Sequence, residues 1–185
     1  MQLDSCPPVE NLNDQRRDVF AVYIAAASDA ASAARVRAAI AVLYAHRFVI
    51  TCTWPEVVAA TPGGANPRDA SDIERRGWSA QDLLEVDAAH AVWFLVPEMP
   101  TTTRGAWFEA GYAYAEKKHV VFSGDTKQSV FCSLGTECIS DEAAIRYLLA
   151  AREAHDAQWI EAGLRELAEN APEPIEQRFD VGGEG

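Results

Sequence analysis

The sequence predicts an α/β protein of the Rossmann-like (flavodoxin-like), doubly wound type, with a mostly parallel five-stranded sheet and helices on both faces. Short apolar runs rich in β-branched and aromatic residues alternate with segments of helical spacing, which is typical of a parallel sheet. The 185 residues, of which 49% are hydrophobic, suffice for one domain with a buried core but not for two of ordinary size.

The first predicted strand is the apolar run 19–27, whose lack of polar alternation is typical of a central strand buried on both faces. Ser28 and Asp29 follow it as an N-cap, and an Ala-rich helix is predicted over 30–45. The strand, cap and helix make one βα unit. A second strand is predicted over 48–54.

Residues 55–76 contain prolines, glycines and charges, and they predict a long loop in which Pro62-Gly63-Gly64 is a turn. A helix is predicted to start at Ser79 and to end near Ala89. The apolar run 91–96, which Pro97 ends, is the third predicted strand.

The second half of the chain continues the alternation. A helix is predicted over 105–117 and a fourth strand over 119–122, while 131–139 could supply a fifth strand. Residues 141–169 predict one or two acidic amphipathic helices before a Pro- and Gly-rich tail. The predicted organisation is therefore a flexible segment 1–18, an α/β domain 19–150, and an acidic helical extension with its tail over 151–185.

The charge of the chain limits its partners. With 28 acidic and 16 basic residues, the formal charge is −12, which repels the phosphate backbone of a nucleic acid. The sequence shows neither a basic start followed by an apolar run nor a stretch of membrane-spanning length, so a cytoplasmic protein without a membrane partner is expected.

Several site types lack their sequence signatures. The four cysteines and four histidines are scattered without zinc-ligand spacing, so neither a metal nor a cofactor is expected. The sequence contains no G-x-G-x-x-G after the first strand, no G-x-x-x-x-G-K-[ST] and no G-x-S-x-G. Dinucleotide-binding, P-loop and serine-hydrolase interpretations are thereby disfavoured.

In a doubly wound fold the ligand site lies at the carboxyl ends of the strands, which directs attention to Glu109. This acid follows the third strand near a helix start, where the helix dipole favours its charged form. An ionised carboxylate suits attack on an anomeric carbon. From spacing alone, an acid that only complements the dipole is the commoner interpretation.

Two other residues have alternative interpretations that the spacing leaves open. Asp82 could serve a functional site, but Ser79-x-x-Asp82 also fits a capping box variant that only closes a helix start. Trp54 could stack on a nucleobase, although a Trp at the end of a strand more often packs into the core.

Four spaced segments stand out over about 19–123: Val22-Tyr23-Ile24-Ala25, Gln81-Asp82-Leu83, Thr103 and Gly105 before Phe108-Glu109-Ala110-Gly111-Tyr112-Ala113, and Lys117-Lys118-His119-Val120. Together they resemble the nucleoside 2-deoxyribosyltransferase family, whose superfamily includes nucleoside 5′-monophosphate N-glycosidases.

The resemblance implies roles for three side chains. Glu109 would be the nucleophile that forms a glycosyl-enzyme intermediate, Tyr23 would orient it, and Asp82 would contact and help protonate the leaving base. It also implies a homo-oligomer of at least two copies, for which the helices after Asp141 offer a surface. No cofactor is implied.

Substrate contacts are expected from Thr103, Arg104, Gly105, Ser28 and Trp54. The hydroxyl of Thr103 occupies a position where the resemblance favours the glycosidases over the transferases. Ser28 with the helix that follows it, or Arg104 beside Gly105, could bind an anion.

Several functional alternatives stay open at this stage. Asp29 would repel a 5′-phosphate, so phosphate recognition is undecided, as is the choice between transferase and hydrolase. A nucleotide-binding or sensing module without turnover is an alternative, and so is an enzyme for another sugar-nucleotide substrate.

Overall fold

The computed structural model describes residues 19–28, 30–60, 68–98 and 103–169, and these form the predicted doubly wound fold. Five strands, all parallel, are hydrogen-bonded in the order β2-β1-β3-β4-β5. Their bounds are β1 Ala21–Ala25, β2 Val49–Ile50, β3 Ala91–Leu95, β4 His119–Ser123 and β5 Thr136–Cys138.

Five α-helices connect and cover these strands. They are α1 Ala30–Ala45, α2 Trp54–Ala60, α3 Asp72–Ala88, α4 Arg104–Ala115 and α5 Asp141–Glu169, with 3-10 turns at Thr126–Gln128 and Val130–Leu134. α3 and α4 pack against each other and against β1. Side-chain hydrogen bonds connect α5 to α1 and to the residue that follows α1. This arrangement places α3 and α4 where β1 and β3 lie side by side.

The centre of the sheet confirms the prediction from the apolar runs. Every residue of β1 and β3 is buried, because helices cover both faces of these strands. The second strand, predicted over 48–54, is only two residues long and lies at the edge of the sheet. The chain leaves the sheet by Thr53, whose N–H donates to the carboxylate of Glu85 instead of to a strand.

The prediction of one long loop over 55–76 was wrong at both of its ends. Trp54–Ala60 is helical, and α3 begins at Asp72 rather than near Ser79. Ser71 caps α3 in a reciprocal capping box: its Oγ accepts from the Glu74 N–H at 3.3 Å, and the Glu74 carboxylate accepts from the Ser71 N–H at 2.8 Å.

Ser79 lies inside α3, where its hydroxyl donates to the carbonyl of Arg75 at 2.8 Å. It therefore cannot form the capping box with Asp82 that the spacing allowed. The turn predicted at Pro62-Gly63-Gly64, Asp29 of the first cap, the segment 1–18 and the tail after Glu169 lie outside the described residues.

α5 is a single helix of 29 residues, so the boundary that the sequence suggested after residue 150 falls within it. Cys52, Cys132 and Cys138 are buried free thiols. Within the described ranges, no helix has both the length and the apolar character needed to cross a membrane.

A polar network joins α1 and α5 to the carboxyl ends of β3 and β4. The Arg35 guanidinium donates to both carboxylate oxygens of Asp141, at 2.8 and 2.6 Å, and to the Val96 carbonyl at 2.6 Å. Ser123 Oγ donates to Asp141 and accepts from the Trp93 indole N–H at 2.8 Å. The network satisfies the polar groups at this end of the sheet.

Gly124 lets the chain pass close to this network, since it has a φ of +106° and a Cβ there would lie 2.4 Å from the Val96 carbonyl oxygen. We predict that Gly124→Ala lowers the free energy of unfolding by about 2 kcal/mol or more, because it adds a steric clash to a strained backbone. Gly163→Ala is the control, since a Cβ at this position in α5 meets no atom within 4 Å. Denaturant unfolding of both variants measures the difference, and equal stability would contradict the prediction.

Candidate active site

Tyr23, Asp82 and Glu109 come together, as the sequence predicted from the family resemblance. Tyr23 lies at the centre of β1 with no exposed surface. Burial raises the pKa of its hydroxyl far above the usual value, and the neighbouring carboxylates of Glu109 and Asp82 raise it further. α4 supplies Glu109 and α3 supplies Asp82, so three elements meet at one point.

Glu109 folds back along α4 towards the start of that helix. Its Oε1 lies 3.6 Å from the position that a Cβ on Gly105 would occupy, one helical turn earlier. The structure therefore places Gly105, another residue predicted to bind substrate, beside the candidate nucleophile. Its missing side chain leaves space next to the carboxylate.

The protonation of Glu109 differs from the sequence expectation. Burial, followed by the charges of Asp82 and Glu85, raises the pKa of Glu109 to about 8, while the Tyr23 hydroxyl opposes the rise. The expectation that the helix dipole keeps this acid ionised was wrong. Glu109 lies in the second turn of α4, beyond the reach of most of the dipole effect, and burial outweighs what is left.

The Tyr23 hydroxyl lies beside Glu109 but is not hydrogen-bonded in ordinary geometry. Its oxygen is buried and has no hydrogen-bond partner among the described residues. The proximity is enough to favour the charged form of Glu109, and a small movement of the carboxylate would complete the bond.

Asp82 lies in the second half of α3 and is partly buried. Burial is the main reason that its pKa rises to about 6, and the charge of Glu85 adds to the rise. Since Ser71 caps this helix, the interpretation of Asp82 as a capping residue is wrong. What the structure leaves is a carboxyl group that takes up a proton near neutral pH.

Glu85 is a part of the site that sequence reasoning missed. Only 6% of the residue is exposed, and its Oε2 accepts from the Thr53 N–H at 3.0 Å. Its Oε1 accepts from the Thr53 hydroxyl and from the Gln81 amide, the latter at 2.8 Å. All three donors are neutral. The signal for it was the spacing Gln81-Asp82-x-x-Glu85, which places these side chains on one side of a helix.

Cys52 completes the surroundings of Tyr23. It follows β2, and burial raises the pKa of its thiol to about 12, so the thiol is neutral. Among the described residues, no group of three or more His, Cys, Asp or Glu side chains has an arrangement that could hold a metal ion.

The other predicted substrate contacts are less closely tied to this centre. Thr103 is buried at the start of α4 and makes no side-chain hydrogen bond to that helix, while Arg104 is exposed beside it. Ser28 is exposed just beyond the end of β1. Trp54 donates its indole N–H to the Ile24 carbonyl at 2.8 Å and packs against the core, which favours the packing interpretation.

Two cavities lie away from the carboxylates. One of about 560 Å³ surrounds Lys117, Lys118 and His119 at the amino end of β4. Another of about 280 Å³ is an apolar groove between α4 and the 3-10 turn Val130–Leu134. Neither includes Asp82 or Glu109, so perturbed acid groups rather than cavity size identify the candidate site. The segments 61–67 and 99–102, which precede α3 and α4, lie outside the described residues.

Comparison with protein-family models gives no match, and no curated protein matches the chain significantly. The assignment of a function therefore depends on the geometry of the site and on the motif resemblance.

The raised pKa of Glu109 predicts a gain in stability on removal of its charge. A folded-state pKa of about 8 lies above the unfolded value near 4.5, so the stability that the protonated form provides is lost as pH rises between them. Glu109→Gln, which stays neutral, should raise the free energy of unfolding by roughly 3 kcal/mol at pH 8 or above and hardly at all at pH 4.

Denaturant unfolding of Glu109→Gln and wild type at both pH values measures this difference. Glu153→Gln, which replaces an exposed acid of α5, is the control and should show no such pH-dependent gain. A gain that is the same at pH 4 and pH 8 would show that the charge of Glu109 is not the cause.

Proposed function

We propose that this protein cleaves or exchanges the N-glycosidic bond of a nucleoside or nucleotide, with Glu109 as the nucleophile. The observation that carries the proposal is the convergence of the Asp82 and Glu109 carboxyl groups, from two helices, on the buried hydroxyl of Tyr23. The resemblance to the nucleoside 2-deoxyribosyltransferase family supports the same three residues.

The two carboxyl groups together hold the number of protons that the reaction needs. With pKa values of about 6 and about 8, Asp82 and Glu109 together hold one proton in the pH range between them. Displacement of a neutral base requires one ionised carboxylate as nucleophile and one protonated acid for the leaving group. The pair carries this number of protons at neutral pH.

Substrate binding has to change the position of this proton. Since burial raises the pKa of Glu109 further than that of Asp82, the shared proton favours Glu109, whereas the reaction needs it on Asp82. A hydrogen bond from Tyr23 to the Glu109 carboxylate stabilises the ionised nucleophile. We propose that substrate binding brings these two groups into hydrogen-bond contact and so shifts the proton.

The proposed reaction has two displacements. A Glu109 oxygen bonds to the anomeric carbon, the bond from this carbon to the base breaks, and the base leaves with the proton from Asp82. Water or a second base then attacks the same carbon, Asp82 accepts its proton, and Glu109 is released as a carboxylate. Water as acceptor makes the protein a hydrolase, and a second base makes it a transferase.

We predict that Glu109→Ala lowers turnover by about a thousandfold or more, because it removes the carboxylate that we propose forms the glycosyl ester. The assay incubates the protein with nucleosides and 5′-monophosphates, with and without a free acceptor base, and separates the products. Circular dichroism shows whether the variant is folded, and Glu153→Gln is the control for activity. An active, folded Glu109→Ala protein would contradict the mechanism, and wild type that binds without turnover would favour the nucleotide-binding alternative.

We predict a bell-shaped pH dependence of kcat/KM for a neutral nucleoside, with limbs near pH 6 and pH 8. Below the lower limb both carboxyl groups are protonated and the nucleophile is lost. Above the upper limb both are ionised and the acid is lost. Steady-state rates between pH 5 and pH 9 measure the profile, and Asp82→Asn should remove one limb. A flat profile over this range would exclude the shared proton.

A further inference from the structure

The charge of the site points to a class of substrate. We infer that the substrate is an N-glycoside whose base is positively charged at the glycosylated ring nitrogen, as in a pyridinium or quaternised purine nucleoside. This inference rests on the proposed function and specifies its leaving group.

The first support is that three carboxyl groups lie close together, with no ion pair to a cation in the part of the chain that the structure describes. Asp82, Glu85 and Glu109 all act electrostatically on Tyr23. Among the described residues, no Lys, Arg or His forms an ion pair with any of the three, and the hydrogen bonds of Glu85 come from neutral donors.

The second support is the hydroxyl of Tyr23. It is fully buried, lies among the three carboxyl groups and has no hydrogen-bond partner in the described structure. Leaving a buried polar group without a partner costs free energy, which is recovered if a bound ligand brings the Glu109 carboxylate into hydrogen-bond contact with this hydroxyl. The unpaired donor therefore indicates that this acidic cluster is a ligand site and not only a solvated patch.

A cationic base makes the transfer of the shared proton from Glu109 to Asp82 unnecessary. Its positive charge near Asp82 and Glu109 lowers the pKa of both groups, so binding itself ionises the nucleophile. Its departure needs no acid, because the electron pair of the broken bond neutralises the ring nitrogen. A neutral base, by contrast, requires the proton to move from Glu109 to Asp82 first.

The reaction balances without a further reactant. Glu109 attacks the anomeric carbon, and the carbon–nitrogen pair passes to the ring nitrogen, so the base leaves uncharged. Water then displaces Glu109 from the sugar and gives its proton to Asp82, which releases it to solvent. The net change is one water consumed and one proton released for each cationic glycoside cleaved.

Binding of a matched pair of ligands tests the inference. Carbocyclic nicotinamide riboside is cationic and cannot be cleaved, and its 1,4-dihydro form has nearly the same shape without the charge. Calorimetric titration of the wild-type protein at pH 7 should give a Kd at least about tenfold lower for the cation. An equal Kd, or a lower Kd for the dihydro form, would overturn the inference.

Proton release gives a second readout in the same titration. Binding of the cation should release protons from Glu109, which the dependence of the binding heat on buffer ionisation enthalpy measures. Glu109→Gln should bind the cation without this release. Binding of the cation to wild type with no proton release would contradict the proposed coupling.

Glu85→Gln tests the contribution of the third carboxylate, which takes no part in bond breaking. It should weaken binding of the cationic analogue by about tenfold and leave binding of the dihydro form within about twofold. Glu153→Gln should change neither. If the Glu85 variant does not fold, the comparison of the two ligands with wild type still decides the question.

Turnover separates a failure of this inference from a failure of the proposed function. We expect the rate of nicotinamide riboside cleavage to rise with pH to a plateau, without the alkaline limb of a neutral substrate. Asp82→Asn should reduce this rate less than it reduces the cleavage of uridine or inosine. Glu109-dependent cleavage of neutral nucleosides alone would overturn the inference and keep the function. No cleavage of either class would overturn the proposed function itself.

Discussion

The hydrogen bonds of Glu85 are the constraint on which the site depends. Its carboxylate accepts from the N–H and hydroxyl of Thr53 and from the amide of Gln81, so it connects α3 to the segment that follows β2. A charged acceptor strengthens these bonds relative to neutral ones. The same charge lies beside Asp82 and raises the pKa of that residue. One buried side chain thus joins the local fold to the proton chemistry of the site.

The cluster has a stability cost that the rest of the fold offsets. Burying carboxyl groups without a cation opposes folding, and the site is placed beside the most completely buried strands, β1 and β3. At the carboxyl ends of β3 and β4 the opposite arrangement holds, since Arg35 pairs with Asp141 and lowers its pKa. Within the described residues, Asp141 is thus paired with a cation, whereas Asp82 and Glu109 form no ion pair, as expected of a functional site.

The parts of the fold that follow from local sequence were predictable. β1 and β3 were found because burial on both faces imposes continuous apolar runs, and α4 because of its helical spacing. The start of α3 was missed although Ser71-x-x-Glu74 carries the signal of a capping box, since Ser79 offered a second cap. The spacing of Glu85 places it on the same side of α3 as Asp82, but its contacts with Thr53 and the protonation of Glu109 could not be predicted in this way. Both depend on groups that meet only after folding, which no spacing along the chain measures.

The charge of Glu109 shows how tertiary structure reverses a local rule. An acid near a helix start is ordinarily ionised, but here burial and two neighbouring carboxyl groups raise the pKa to about 8. A protonated Glu109 loses its proton only when a neighbouring group favours the charged form. Tyr23 supplies one hydrogen-bond donor for this purpose, and the positively charged base that we propose would supply the remainder. For such a substrate, binding and activation of the proposed nucleophile are the same electrostatic event.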